Sequence, residues 1–305
     1  VLGAAVLACT ALVSFDEVQC TDALDCQARG GAFSGAACVR GVCVPPEAGP
    51  GGAGADGGGA WDCLSQDRAD PDLSPQVSVQ IVAFDPLQPY TLGSTVDGGS
   101  DLWVAGYTPV SGMKIQPCGA LDPLCSSPIA AASITDDAGI AQVTVPGSFA
   151  GLYQMTRPDV LPLLLYPGRF IAGDTRVTYA QGVIDQTEVV GVGAAAGVTA
   201  NTDPDAGLGH LFVSALDCND RRASGVSFSL GDIEAGVRTY LVNGLPNLTA
   251  TQTAADGVGG FVNVPEGSVI VSAALASQGQ QALGSLNVYV KAATVTLVLV
   301  RARTR

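Results

Sequence analysis

The chain is 305 residues long, with 28 acidic and 14 basic side chains and a formal charge of −14, a balance that repels phosphate backbones and argues against nucleic acid as a partner. Hydrophobic residues make up 47% and charged residues 14%, enough apolar material for the cores of about two domains. A single histidine, His210, excludes a multi-histidine metal centre and two independent histidine-dependent sites.

Residues 1–13 are almost wholly apolar. The run is too short to cross a bilayer, which takes about 20 residues, and suits the hydrophobic stretch of an export signal whose start lies upstream of Val1. Within it, Val6-Leu7-Ala8-Cys9 resembles the lipobox of bacterial lipoproteins. That resemblance implies a truncated signal segment over 1–9, a lipid on Cys9, anchorage in a membrane, and, since Thr10 is not the aspartate that retains such proteins at the inner membrane, an outer-membrane or cell-surface location.

Cysteine spacing fits an exported chain. Of nine cysteines, setting Cys9 aside leaves an even number, the arithmetic of disulfides. Cys20, Cys26, Cys38 and Cys43 define a small stapled head over 10–44. Their spacing lacks the paired C-x2-C of zinc ribbons. Four cysteines allow three pairings, of which 20–38 with 26–43 is favoured here. Cys118 and Cys125 bracket an Asp-Pro turn and would staple a short loop. Cys63 and Cys218 are left to pair over a long range.

Residues 45–60 are rich in glycine and contain no large apolar side chain, the composition of a flexible linker. From about residue 75 the pattern is that of strands: 77–84, 101–104, 113–115, 133–135, 141–145 and 161–166, punctuated by turn residues at intervals of about 8–12. This set is expected to form a first β-sandwich module over 61–182. A connector over 183–208 follows, in which Asp185 and Glu188 have the spacing of a helix capping box. The second module, 209–305, is expected to hold strands at 211–216, 225–230, 238–242, 260–264, 268–273 and one long strand from 286 to 300. His210 is expected at a strand edge.

Two segments echo each other. Thr135-Asp136-Asp137-Ala138-Gly139 followed by Val143-Thr144-Val145-Pro146-Gly147 recurs as Thr253-Ala254-Ala255-Asp256-Gly257 followed by Phe261-Val262-Asn263-Val264-Pro265-Glu266-Gly267. In each, aspartate and glycine make a tight turn and an alternating strand runs to proline and glycine. The pattern, with Ala223-Ser224-Gly225-Val226, resembles the carboxypeptidase regulatory-like domain, a transthyretin-like Greek-key β-sandwich. Head, linker and two modules together resemble the cysteine-rich surface lipoproteins of myxobacteria. The fold expected is therefore all-β, with two such sandwiches after a disulfide-rich head and a glycine-rich linker.

Chemistry is sparse. No G-x-S-x-G elbow or phosphate-binding loop occurs, and the nearest serine along the strand from His210 is Ser214. Asp136, Asp137, Asp203 and Asp205 offer hard oxygen ligands on loops, so structural calcium is the one ion to consider; no other cofactor is expected. Trp61, Trp103, Tyr107, Tyr153 and Tyr166 are the rings that a sugar could stack on, with Trp103 and Tyr107 the pair singled out. The expected function is that of a non-enzymatic cell-surface lipoprotein presenting β-sandwich modules for adhesion, envelope structure or protein binding. A carbohydrate-binding protein docking on envelope polysaccharide is the alternative, and a hydrolase using paired carboxylates the third reading.

Overall fold

A computed structural model describes Leu24, 37–39, 42–44, 61–65, 75–89 and 107–302, apart from 169, 171–173, 196, 219–220, 232–235, 243–244 and 277–280. The chain divides into two compact units, 1–59 and 60–305. In the first unit, β1 (Ala37–Val39) pairs antiparallel with β2 (Val42–Val44), which sets Cys38 opposite Cys43 in register. Cys9, Cys20, Cys26 and the linker 45–60 lie outside the described residues.

Among its described residues the second unit is all-β apart from the helix Gln186–Ala195 and short 3-10 turns at Asp62–Ser65 and Pro204–Ala206. Its first half holds β3 (Gln76–Pro89), β4 (Tyr107–Pro109), β5 (Lys114–Cys118), β6 (Ser133–Ile134), β7 (Ile140–Pro146), β8 (Leu152–Thr156), β9 (Leu163–Tyr166) and β10 (Arg176–Gly182). Its second half holds β11 (Leu208–Leu216), β12 (Val226–Leu230), β13 (Val237–Val242), β14 (Leu245–Asn247), β15 (Val258–Pro265), β16 (Gly267–Leu275), β17 (Gln281–Val290) and β18 (Val295–Arg301).

The halves follow one plan. In the first, β3 lies between antiparallel β7 and parallel β10, opposite the antiparallel set β5-β8-β9. In the second, β11 lies between antiparallel β15 and parallel β18, opposite β12-β16-β17. Hydrogen bonds repeat with the strands. Buried Thr135 Oγ1 donates to Val110 O (2.8 Å) and accepts from Met113 N (2.8 Å); buried Thr253 Oγ1 donates to Ala223 O (2.7 Å) and accepts from Val226 N (3.0 Å). Each threonine thus clasps the turn that opens its module's β5 or β12, Val110-Ser111-Gly112-Met113 or Ala223-Ser224-Gly225-Val226. Gly112 and Gly225 stand at φ 74° and 78°, the left-handed region where a side chain would strain.

The sandwiches are fused. β18 pairs in parallel with β9, Val295 opposite Leu163 and Val298 opposite Tyr166, which makes one nine-stranded sheet in the order β14-β13-β15-β11-β18-β9-β8-β5-β6. Strands within such a parallel junction are covered on both faces and read as continuous apolar runs. Leu163-Leu164-Leu165-Tyr166 is buried at every position: Leu163 and Leu165 enter the first core, with Ile81, Val143, Met155 and Tyr153, while Leu164 and Tyr166 enter the second, with Phe228, Val271 and Val288. The two strand sets expected as separate modules therefore share a sheet and one compact unit.

The long strand expected over 286–300 is two strands in different sheets, β17 and β18. The chain turns at 291–294, with Ala293 at φ 48°. Buried positions stay largely even-numbered on both sides, at Val288 and Val290 and then at Thr296, Val298 and Val300, so the apolar pattern alone does not mark the break. Four strands of this unit went unread in the sequence, β4, β8, β10 and β14. The first strand runs on past Asp85-Pro86 to Pro89, with an irregularity in its pairing to β4 between Asp85 and Pro89.

Two bridges are present in this unit, Cys63–Cys218 and Cys118–Cys125. Cys218 lies two residues beyond the end of β11, where Leu216 pairs with Arg301. The bridge therefore pins the start of the unit to one end of the central sheet, and Trp61 and Leu64 pack against the second core there.

Candidate functional site

The other end of β11 is built around a bulge. Gly209 faces Val264 and Leu211 faces Phe261, so two residues of β15, Val262 and Asn263, oppose His210 alone. Asn263 occupies φ 61°, a conformation asparagine tolerates better than most residues, and bulges of this kind re-aim a side chain. Here the amide turns to the connector: Asn263 Oδ1 accepts from Asn201 N (2.8 Å) and its Nδ2 donates to Thr199 O (2.9 Å). His210, the third residue of β11, is wholly buried rather than at a strand edge. Its Nε2 lies 3.1 Å from Asn201 O, and its Nδ1 accepts from Asn263 N at 3.5 Å. These partners assign the proton to Nε2 of a neutral ring.

The helix supports the same segment. Asp185 N donates to Glu188 Oε2 (2.6 Å) and Glu188 N to Asp185 Oδ1 (2.8 Å), a reciprocal capping box. Burial raises the Glu188 pKa, with the Asp85 and Asp185 charges adding to the shift against the opposing hydrogen bond from Asp185 N. Gly193 is essential to the fit: a Cβ there would come within 2.8 Å of Ala200 Cβ.

Between helix, connector and bulge lies an open cleft of about 790 Å³. Gln186, Thr199, Asn201, Thr202, Asp203 and Asn263 supply its polar lining, and Ala200, Leu208 and Pro204 complete the wall. Gln186 Nε2 donates to Thr202 Oγ1 (2.7 Å), Asp203 N to Asn201 Oδ1 (2.9 Å), and Asp205 N to Asp203 Oδ1 (2.9 Å). The frame is thus fixed by hydrogen bonds that use both amide atoms of Asn263 and one polar atom each of Gln186, Asn201 and Asp203.

The residues expected to bind ligands or ions are placed as follows. Trp103 lies outside the described residues, as does the side chain of Tyr107, whose backbone belongs to β4. Tyr153 and Tyr166 are core residues. Burial raises the pKa of Tyr153 well above the usual phenol range and that of Tyr166 to about 12, and Tyr166 Oη also accepts from Tyr289 N. Trp61 is half-buried. Asp136 Oδ1 accepts from Ala138 N and Ile140 N, which closes its own turn, and Asp203 caps the 3-10 turn that contains Asp205. Among the described residues no three histidine, cysteine or acidic side chains gather in a way that could hold a metal ion. Ser214 Oγ accepts from Arg222 Nη1 (2.6 Å), so His210 and Ser214 are each bonded elsewhere. The Arg222 guanidinium is brought down to about 10 by burial, with Asp256 opposing the shift. Sequence reading missed the cleft. The signal available was the amide and hydroxyl density of Thr199–Asp203, which reads equally as an ordinary loop.

Burial lowers the His210 pKa from 6.5, against the raising effect of its bond to Asn201. A folded-state pKa below the unfolded one means that the unfolded chain binds the proton first. The stabilisation by neutral His210 is complete above pH 6.5 and falls as pH drops from there towards the folded pKa. Most carboxylates titrate lower, at about pH 4, and Glu188, whose pKa is raised, acts with the opposite sign, so a loss of stability on acidification through about pH 5–6.5 belongs to the imidazole. Urea midpoints should fall with pH across that window in the native chain and stay level in His210→Gln; parallel slopes would remove His210 as the cause.

No family model matches this sequence, and no curated protein matches it. Among solved structures, a shaft pilin from Lactobacillus rhamnosus GG is similar at 12% identity, with 75% of this chain and 99% of that chain covered and a TM-score of 0.25. A minor pilin of Streptococcus agalactiae is 13% identical over 75% of this chain and 96% of that chain, TM-score 0.23. The Bacillus anthracis TIE protein is 12% identical over 75% of this chain and 34% of that chain, TM-score 0.20. Likeness of this size establishes neither a common fold nor a common activity.

Proposed function

We propose that this chain is a non-enzymatic surface module that is held at one end of its central sheet and presents the opposite end for adhesion. The observation that carries the reading is the placement of two features along β11. The entry segment is bridged through Cys63 to Cys218, just past Leu216, whereas the cleft is built on Leu208 and the bulge at His210. Nine residues of strand separate the two, about 26 Å at the usual rise. The lipobox-like Val6–Cys9 segment and the glycine-rich 45–60 supply, in this reading, the lipid anchor at an outer membrane and the tether; the mass of the mature N-terminus tests the lipid. The repeated sandwich plan with its threonine clasps supports the likeness to carboxypeptidase regulatory-like modules.

Presentation by orientation is directly measurable. Beads bearing the full chain through an N-terminal biotin should retain isolated bacterial envelopes. Beads bearing it through a biotin-acceptor peptide inserted in the exposed 203–207 turn should not. Equal retention by both, or by neither, would sink the proposal.

A further inference from the structure

The cleft at the far end of β11 specifies the chemistry of what it would hold. Its free polar tips include both donors and acceptors. Asn201 Nδ2 is a donor, since its Oδ1 already accepts from Asp203 N. Asp203 Oδ2 is an acceptor, since its Oδ1 takes Asp205 N. Gln186 Oε1 is an acceptor, since its Nε2 serves Thr202, whose hydroxyl proton is then free to donate. These tips make no other hydrogen bond among the described residues. They are held by backbone and side-chain bonds within one frame, so little ordering is required on binding.

We infer that this cleft binds a neutral polyhydroxylated chain, a short run of an uncharged glycan, through Asn201, Thr202, Asp203 and Gln186. The inference rests on the presentation reading, because it assigns a ligand class to the end that reading exposes. Vicinal hydroxyls each donate and accept, so they can pair with the amide and hydroxyl donors and with the carboxylate and amide acceptors of one lining. The lining contains one carboxylate and no cationic side chain, in a chain of formal charge −14, so an anionic polymer is disfavoured. A peptide would need apolar anchor pockets or an open strand edge; the apolar lining is limited to buried Ala200, half-buried Leu208 and exposed Pro204. The volume of about 790 Å³ lies within the range of small-ligand sites, and its open form suits a polymer that passes through rather than a ligand that is enclosed.

Two isosteric variants isolate the tips from the frame. Asn201→Asp keeps the acceptor for Asp203 N and removes the donor. Asp203→Asn keeps the acceptor for Asp205 N and replaces the free acceptor with a donor. Saturation-transfer NMR and calorimetry on the full chain would use hexasaccharides of neutral glucose (β-1,4 and α-1,4), mannose and N-acetylglucosamine, with hexagalacturonate and a (Gly-Ser)6 peptide as contrasts. At least one neutral hexasaccharide should bind, and each variant should weaken it by about fivefold or more, as loss of one or two neutral hydrogen bonds implies, with the thermal unfolding midpoint unchanged. Binding of no neutral hexasaccharide, tighter binding of hexagalacturonate or the peptide, or equal affinity in both variants would overturn the inference. If neutral sugars fail while bead-bound chain still retains envelopes by its distal end, the ligand class alone is wrong. Failure of both assays removes the presentation reading as well.

Discussion

Replacing Cys63 and Cys218 together by alanine lowers the thermal midpoint of the chain by about 10 °C. The bridge closes a loop with a sequence separation of 155 residues. In the chain-entropy account, loops of this length contribute about 5 kcal/mol by restricting the unfolded state. For a unit of this size each kcal/mol moves the midpoint by about 2–4 °C. The double substitution avoids leaving one unpaired thiol, and it leaves Cys118–Cys125, with a sequence separation of only 7, untouched. Calorimetry reads the result. A shift under about 2 °C would mean that the bridge does not constrain the unfolded chain, and would leave the entry segment held only by the packing of Trp61 and Leu64.

Thr135→Val and Thr253→Val each cost about 2–3 kcal/mol, because each removes two buried hydrogen bonds and strands backbone groups that cannot reach water. The substitution preserves shape, so the loss is of bonding rather than packing. The pair also tests whether the fused sheet makes the two sandwiches a single cooperative unit. If it does, either substitution moves one common transition, and the double variant moves it by the sum, as expected for distant sites. Two separate transitions, with Thr135→Val affecting only one, would show that the β9–β18 junction does not couple the halves.

Most of this architecture is legible in the chain. The all-β class follows from alternating runs and frequent turn residues, and the capping box at Asp185 and Glu188 from their spacing alone. The repeat is visible at Thr135 and Thr253 because turn chemistry is local. Its other half, Ser111-Gly112 answering Ser224-Gly225, becomes evident only when each threonine is seen to clasp that turn across 25 or 30 residues. The fusion of the sandwiches leaves a fainter trace. Leu163–Tyr166 is apolar at every position, which says that a strand is covered on both faces but not by what. The cleft is less legible still: it depends on a bulge that sets two residues against one, and register is a property of a pair of strands, absent from either alone.

The parallel junction also governs the order in which the molecule can assemble. β9 emerges during synthesis well before β18, its neighbour in the sheet, and the two pair across a separation of 132 residues at Val295 and Leu163. The first half can collapse early, but one flank of β9 stays open until β18 arrives and closes it. Pairings this distant in sequence slow folding. Closure of that flank waits for β18, so the topology itself disfavours early locking of the first half.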